Sequence, residues 1–199
     1  MENIRSSYKD NDYGNVFRAL ILAQKPNLVV ECGVLDGYST FNIGQAIKFN
    51  REKRNIICSF FAYDLWEDYE YKHGDYSEVE NMLNEQGLDD YVFLTEGDAF
   101  FVYNVFEDKS IDFLHMDISN NGDTIIKTLE LWGDKISDNG IIAFEGGSED
   151  RDNVEWMIKY GFPSIREVLI NDPIVYENWD VQILDSFPSM SLLFPKKRK

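Results

Sequence analysis

Leu28-Val29-Val30 is a run of β-forming residues with no polar residue inside it, the pattern of a strand covered on both faces. Strands of that kind belong to parallel sheets flanked by helices, so this short run restricts the fold more than any other feature of the chain. Gly33 and Gly37 break it, and a helical pattern follows from Ser39 to about Phe49. The unit then recurs. Ile56 to Tyr63 predicts a second strand ending at Asp64, residues 77–86 a helix, and Asp90 to Leu94 a third strand followed by Gly97-Asp98. Residues 99–107 predict a short helix, Ile111 to Met116 a fourth strand ending at Asp117, and Thr124 to Trp132 a helix. Ile141 to Phe144 predicts a fifth strand ending at Glu145-Gly146-Gly147. Ahead of all of these, Val16, Phe17, Leu20, Ile21 and Ala23 recur at helical spacing before Pro26, which predicts a helix over 14–24.

Strands separated by helical segments imply right-handed crossovers. The expected fold is therefore α/β, a doubly wound, mostly parallel sheet with helices on both faces. Residues 175–195 differ, because Val181-Leu184 and Ser191-Phe194 are joined by the turn-like Asp185-Ser-Phe-Pro-Ser189. They predict an antiparallel hairpin at the C-terminal edge of the sheet. With 199 residues, 44% of them hydrophobic, one domain over 1–199 is expected, with residues 1–13 as an N-terminal extension and 196–199 as a basic tail.

The formal charge of −17 sets the chain against phosphate-rich partners, since nucleic acids and anionic bilayers attract stripes of Lys and Arg. Lys196 to Lys199 is too short a basic stretch to reverse that. Neither nucleic acid nor membrane is an expected partner, and the absence of an apolar run near ~20 residues makes a soluble, cytoplasmic protein the expectation. Cys32 and Cys58 lie in hydrophobic runs and read as free thiols, and two His residues are too few for a Cys/His zinc site.

In an open parallel sheet, ligands bind at the carboxyl ends of the strands. Those ends carry Glu31, Asp64, Asp98, Asp117 and Glu145. Carboxylates accept hydrogen bonds from hydroxyls and amines and repel phosphate, so this edge suits a ligand that is rich in donors or cationic. The loop G-V-L-D-G lacks the G-x-G turn of a dinucleotide fold, Asp64 comes later than the acid about 20 residues on that such a fold uses, and no P-loop is present. A nucleoside-like ligand with a ribose diol, an adenine amine and a positive centre fits what remains.

ECGVLDGYST after a short apolar strand, an acid closing the second strand, GDA after the third and FLHMD closing the fourth resemble the class I S-adenosylmethionine-dependent methyltransferases. More narrowly they resemble the small-molecule O-methyltransferase group, whose first loop often reads E-x-G-x-x-x-G-x-S/T. The likeness runs from about residue 14 to residue 195. It implies a Rossmann-like methyltransferase fold, S-adenosylmethionine as cofactor, and methyl transfer to a hydroxyl of a small molecule such as a sugar or secondary metabolite. It also implies that Gly33 and Gly37 flank the methionine part of the cofactor and that Glu31 holds its amino group or orders the loop. Ser39 completes the cofactor-binding motif. Asp64 is implied to accept from both ribose hydroxyls and Asp98 from the adenine amine, with Asp117 near the amino group and the transferred methyl. Leu35 stands where many members have a third glycine, as in the O-methyltransferase variant.

The resemblance further makes Asp117 and His115 catalytic candidates; two residues apart, they face the same side of a strand. Some related O-methyltransferases hold a divalent ion between an acid ending the fourth strand and acids after the fifth. Here that pair would be Asp117 and Glu145, holding Mg²⁺, with Glu149 or Asp150 less well placed, although the usual Asp-Asn or Asp-Asp pair is absent. Trp66 to Tyr76, rich in tyrosine, reads as a lid or substrate wall with Gly74 as its hinge, and Trp66 as a cover for the adenine face. Two other readings stay open: a non-catalytic binding or scaffold domain of the same fold, and a carboxyl- or N-methyltransferase. The expected partner is a small-molecule acceptor, with a homo-oligomer left open.

Overall fold

The structure is a computed structural model that describes residues 4–68 and 74–197. The chain divides into two compact units, Met1–Val102 and Tyr103–Lys199. In the first, α1 (Tyr13–Gln24) precedes β1 (Leu28–Cys32), α2 (Tyr38–Arg54), β2 (Ser59–Asp64), α3 (Tyr76–Glu85) and β3 (Phe93–Glu96). β1 and β2 run parallel with Val30 opposite Phe61, and β2 and β3 run parallel with Asp64 opposite Glu96. Val29, Val30, Phe60 and Ala62 have no exposed surface, as an unbroken apolar run requires.

α2 outlasts its apolar pattern by five residues. Its polar end docks through hydrogen bonds instead: buried Asn50 Nδ2 donates to the Ile21 carbonyl at 3.1 Å and Arg54 Nη1 to the Leu22 carbonyl at 2.7 Å. Those carbonyls belong to the last turn of α1, and the Ile21 carbonyl also accepts the N–H of Lys25, the residue that caps the helix.

The second unit holds β4 (Ile111–Met116), α4 (Gly122–Trp132), β5 (Ile136–Glu145), four short helices α5 (Glu149–Asp152), α6 (Glu155–Tyr160), α7 (Ile165–Asn171) and α8 (Pro173–Tyr176), then β6 (Trp179–Leu184) and β7 (Met190–Pro195). β4 and β5 are parallel, while β7 pairs antiparallel with β5 on one side and with β6 on the other. The hairpin expected at the edge is therefore present. β5 begins five residues before the expected Ile141, because Ile136 pairs with Ile111 before the register shifts. The polar Ser137-Asp138-Asn139 stretch conceals that first part. Helices α5 to α8 have no counterpart in the sequence reading, and side-chain caps start three of them. Ser148 Oγ accepts the Arg151 N–H, Ser164 Oγ the Glu167 N–H, and an Asp172 carboxylate oxygen the Ile174 N–H. Helices of four to seven residues are too short to write a 3.6-residue period.

Among the described residues the strand order is β3-β2-β1, all parallel, in the first unit and β4-β5-β7-β6, antiparallel only at β7, in the second. This is the Rossmann-like arrangement. No helix among the described residues is long and apolar enough to cross a membrane.

Candidate functional site

The first unit builds its site around the turn from β1 into α2. Glu31 is fully buried and accepts a hydrogen bond from Thr40 Oγ1 at 2.5 Å, tying the strand end to the first turn of the helix. Between them the Gly33 N–H donates to the Tyr63 carbonyl at 2.9 Å and the Gly37 N–H to the Val34 carbonyl at 2.8 Å. Gly33, Leu35 and Gly37 have φ of +94°, +54° and +81°. For the two glycines this costs little; for Leu35 the left-handed region costs about 1–2 kcal/mol, so the surroundings must hold it there.

Asp64 supplies much of that hold. One carboxylate oxygen, Oδ2, accepts the N–H groups of Val34 at 2.7 Å and Leu35 at 2.9 Å. The other, Oδ1, accepts the Leu65 N–H at 2.7 Å and the Trp66 N–H at a long 3.5 Å. Asp64 is thus built into the loop, and Oδ1 keeps acceptor capacity for a ligand hydroxyl. Asp36 is held in turn by Arg5, and Gly74 lies against the Leu35 carbonyl with no room for a Cβ. Gly74 is therefore a packing glycine here. A Cβ on Gly37 would fall 2.8 Å from Met82 Cε, the movable end of a flexible side chain, and 3.1 Å from Val79 Cγ1, so the φ of +81° is the main demand for glycine and α3 adds a smaller steric one.

Asp98, half-buried, accepts the Phe100 N–H at 2.7 Å and so shapes the turn after β3. Ser39 is buried at the start of α2. Burial pushes the Cys32 thiol well above its ordinary pKa, and the negative charges of Glu31, Asp64 and Asp98 push it the same way. Trp66 is buried edge-on to Tyr76 at 5.5 Å, with φ +48° and an indole Nε1 that has no partner among the described residues. Of the segment read as a lid, Tyr69, Glu70, Tyr71, Lys72 and His73 lie outside the described residues.

In the second unit, Glu145 ends β5 and meets a residue that the sequence reading missed. Arg151 Nε donates to its two oxygens at 2.8 and 2.9 Å, and Nη2 to one of them at 2.7 Å. Both side chains are almost fully buried. Arg151 Nη2 also donates to the Asn120 carbonyl at 3.3 Å, and the guanidinium lies 4.8 Å from the Trp156 ring centroid. Burial works to lower the Arg151 pKa, but the Glu145 bonds and the charges of Glu145, Asp117 and Asp152 outweigh it and raise the value. The signal for this pair was a buried-strand acid followed, across Gly146-Gly147 and the Ser148 cap, by an arginine that the turn brings back.

That pair bears on the metal reading. The carboxylate of Glu145 is filled by a guanidinium, and among the described residues no cluster of three or more His, Cys, Asp or Glu stands ready to hold an ion. Asp117 and Glu145 do not fit as a Mg²⁺ donor pair, because a resident cation already occupies Glu145. Asp117 follows β4, half-buried, and its charge reaches Arg151. His115 is fully buried within β4, opposite Ala143 of β5. Of the two, Asp117 is the one with exposed surface.

The methyltransferase domain family matches residues 30–145, more than half of the chain, and the chain belongs to that family. Its fold is that of the class I S-adenosylmethionine-dependent methyltransferases. It is similar to a methyltransferase from Geobacter sulfurreducens at 18% identity, over 96% of this chain and 84% of that one, with a TM-score of 0.67. The SAH-bound Podospora anserina methyltransferase PaMTH1 is similar at 19% identity, over 92% and 78% of the two chains, with a TM-score of 0.65. The O-methyltransferase TomG from Streptomyces achromogenes, involved in tomaymycin synthesis and solved in complex with SAM, is similar at 12% identity, over 96% and 86%, with a TM-score of 0.62. No curated protein matches the chain.

Proposed function

We propose that this chain transfers a methyl group from S-adenosylmethionine to a hydroxyl of a small molecule. The observation that carries the reading is the Asp64-pinned loop: Gly33, Leu35 and Gly37 at positive φ, with the N–H groups of Val34 and Leu35 donating to a strand-end carboxylate. Such a loop brings backbone close to a ligand, and the acids at or just beyond the strand ends, Glu31, Asp64 and Asp98, favour one that is cationic and rich in donors. S-adenosylmethionine has both properties, and when bound it supplies an activated methyl on a sulfonium. Gly33, Gly37 and Ser39 line its methionine part, Glu31 holds the loop and the amino group, Asp64 Oδ1 takes the ribose, and Asp98 takes the adenine amine. Asp117 takes the amino group or the acceptor's proton. Methyl displacement needs close approach and alignment more than covalent help, so positioning is the chain's main contribution. The choice of oxygen over nitrogen or carboxyl rests on the resemblance of the first loop to the O-methyltransferase group and on the similarity to TomG.

Calorimetry tests the reading. Wild-type protein should bind S-adenosylmethionine and S-adenosylhomocysteine, and Asp64→Ala should lose about 1.5–3 kcal/mol, the range for a hydrogen bond to a charged group. A folded wild-type protein that binds neither ligand overturns the proposal. Turnover, read as S-adenosylhomocysteine released with phenolic and sugar acceptors, then separates the two roles of Asp117. Asp117→Asn weakens cofactor affinity in the first role and lowers only turnover in the second.

A further inference from the structure

Asp36, in the middle of the loop, is held by the N-terminal segment. Arg5 donates its backbone N–H to Asp36 Oδ2 at 2.9 Å, its Nε to the same oxygen at 2.7 Å and its Nη2 to Oδ1 at 2.7 Å. A guanidinium fork on one carboxylate, completed by a backbone donor, fixes direction as well as distance. The segment that presents Arg5 is itself anchored. Ser6 Oγ accepts the Tyr8 N–H at 3.2 Å, Lys9 Nζ donates to the Ile4 carbonyl at 3.0 Å, and Tyr8 is buried. Its ring meets Phe17 edge-on at 5.4 Å and Tyr13 at 5.9 Å, both on α1. Residues 4–9 thus form a strap with Tyr8 as the anchor and Arg5 as the hook.

The loop has a reason to need it. Asp36 stands between Leu35 and Gly37, both at positive φ, and Leu35 holds that conformation without the freedom of a glycine. Asp64 fixes the amides on one side of Leu35, and nothing in Asp64's reach fixes the residue after it. We infer that Arg5 is a positioning residue: through Asp36 it keeps the 33–37 loop in the form that takes S-adenosylmethionine. The inference rests on the cofactor reading above, and it adds a residue outside the matched family segment, which begins at residue 30.

The test titrates S-adenosylhomocysteine into wild type, Arg5→Ala, Arg5→Glu and Arg5→Glu/Asp36→Arg. Arg5→Ala should bind about two- to fivefold more weakly, the span of an exposed ion pair, and Arg5→Glu about tenfold or more, because it sets a like charge against Asp36. The double swap should recover most of the loss. In 1 M salt the gap between wild type and Arg5→Ala should narrow, which a purely steric role of the strap would not produce. Equal affinity in wild type and Arg5→Glu overturns the inference. If wild type itself takes no S-adenosylhomocysteine, the cofactor reading fails first. The strap is then judged by hydrogen exchange at Val34, Leu35 and Gly37 in the ligand-free chain: faster exchange in Arg5→Ala supports it, and unchanged rates overturn it.

Discussion

The acids that end β2 and β5 stand at like positions in the two units and are used in opposite ways. Asp64 takes its hydrogen bonds from backbone N–H groups of its own loop and turn. Glu145 takes a guanidinium. A carboxylate met by amides shapes the backbone that donates to it. A carboxylate closed on a buried arginine has spent its charge inside the fold. One unit uses its strand-end acid to shape a loop and the other uses it in a buried ion pair.

The largest expected effect breaks the second of these. Arg151→Met leaves Glu145 buried without its partner, and the loss of one member of a buried pair costs about 3–5 kcal/mol. For a chain of this size the thermal midpoint should fall by roughly 10 °C. Replacing both residues by apolar ones of similar volume should recover most of the loss, because it removes the stranded charge. Asp64→Ala, by contrast, should register first in ligand affinity. If Arg151→Met left the thermal midpoint unchanged, Glu145 would be a solvated acid and the contrast between the two strand ends would collapse.

A smaller effect sharpens the first. Leu35→Gly relieves a side chain held at φ +54° and should stabilise the chain by about 0.5–1 kcal/mol, the left-handed penalty less the extra chain entropy of glycine. Urea unfolding measures it. A loss of stability would mean that Leu35 contributes packing that outweighs its backbone strain.

What could be read from the sequence follows the same division. β1, β4 and the edge hairpin were legible because apolar runs and turn residues write them directly, and the resemblance carried by ECGVLDGYST, the acid ending β2, GDA and FLHMD made the methyltransferase class legible. Gly37 was legible as an obligatory glycine, and its φ of +81° is one of the reasons expected; the nearness of Met82 and Val79 on α3 was not legible. Asp64 was expected to face a ribose and also organises the loop, a role that depends on tertiary backbone geometry no spacing reveals. The polar end of α2, the short helices α5 to α8 and the Glu145–Arg151 pair escaped for one reason. Each is fixed by hydrogen bonds between residues that look solvated in sequence, and periodicity registers only apolar burial. Arg5, some thirty residues from Asp36, belongs with them.

The smallest effect concerns that last contact and its pH dependence. The Arg5 side-chain hydrogen bond is the main cause that lowers the Asp36 pKa; burial opposes it, and the Arg5 backbone bond and charge add to the lowering. Arg5 is held protonated by the same carboxylate and, more weakly, by Glu78. A carboxylate whose folded pKa lies below its unfolded value contributes stability that is fully present above the unfolded value, about 4, and is lost as pH falls through the folded one. Because the Arg5 side chain is 62% exposed, solvent screens the pair and the contribution is about 1 kcal/mol or less. Wild type should therefore exceed Asp36→Asn in stability by that small margin at pH 6, and the margin should close below about pH 4, measured by urea unfolding at each pH. A margin that is unchanged in acid would assign it to the shape of the Asp36 side chain, and the strap would then hold the loop by packing alone.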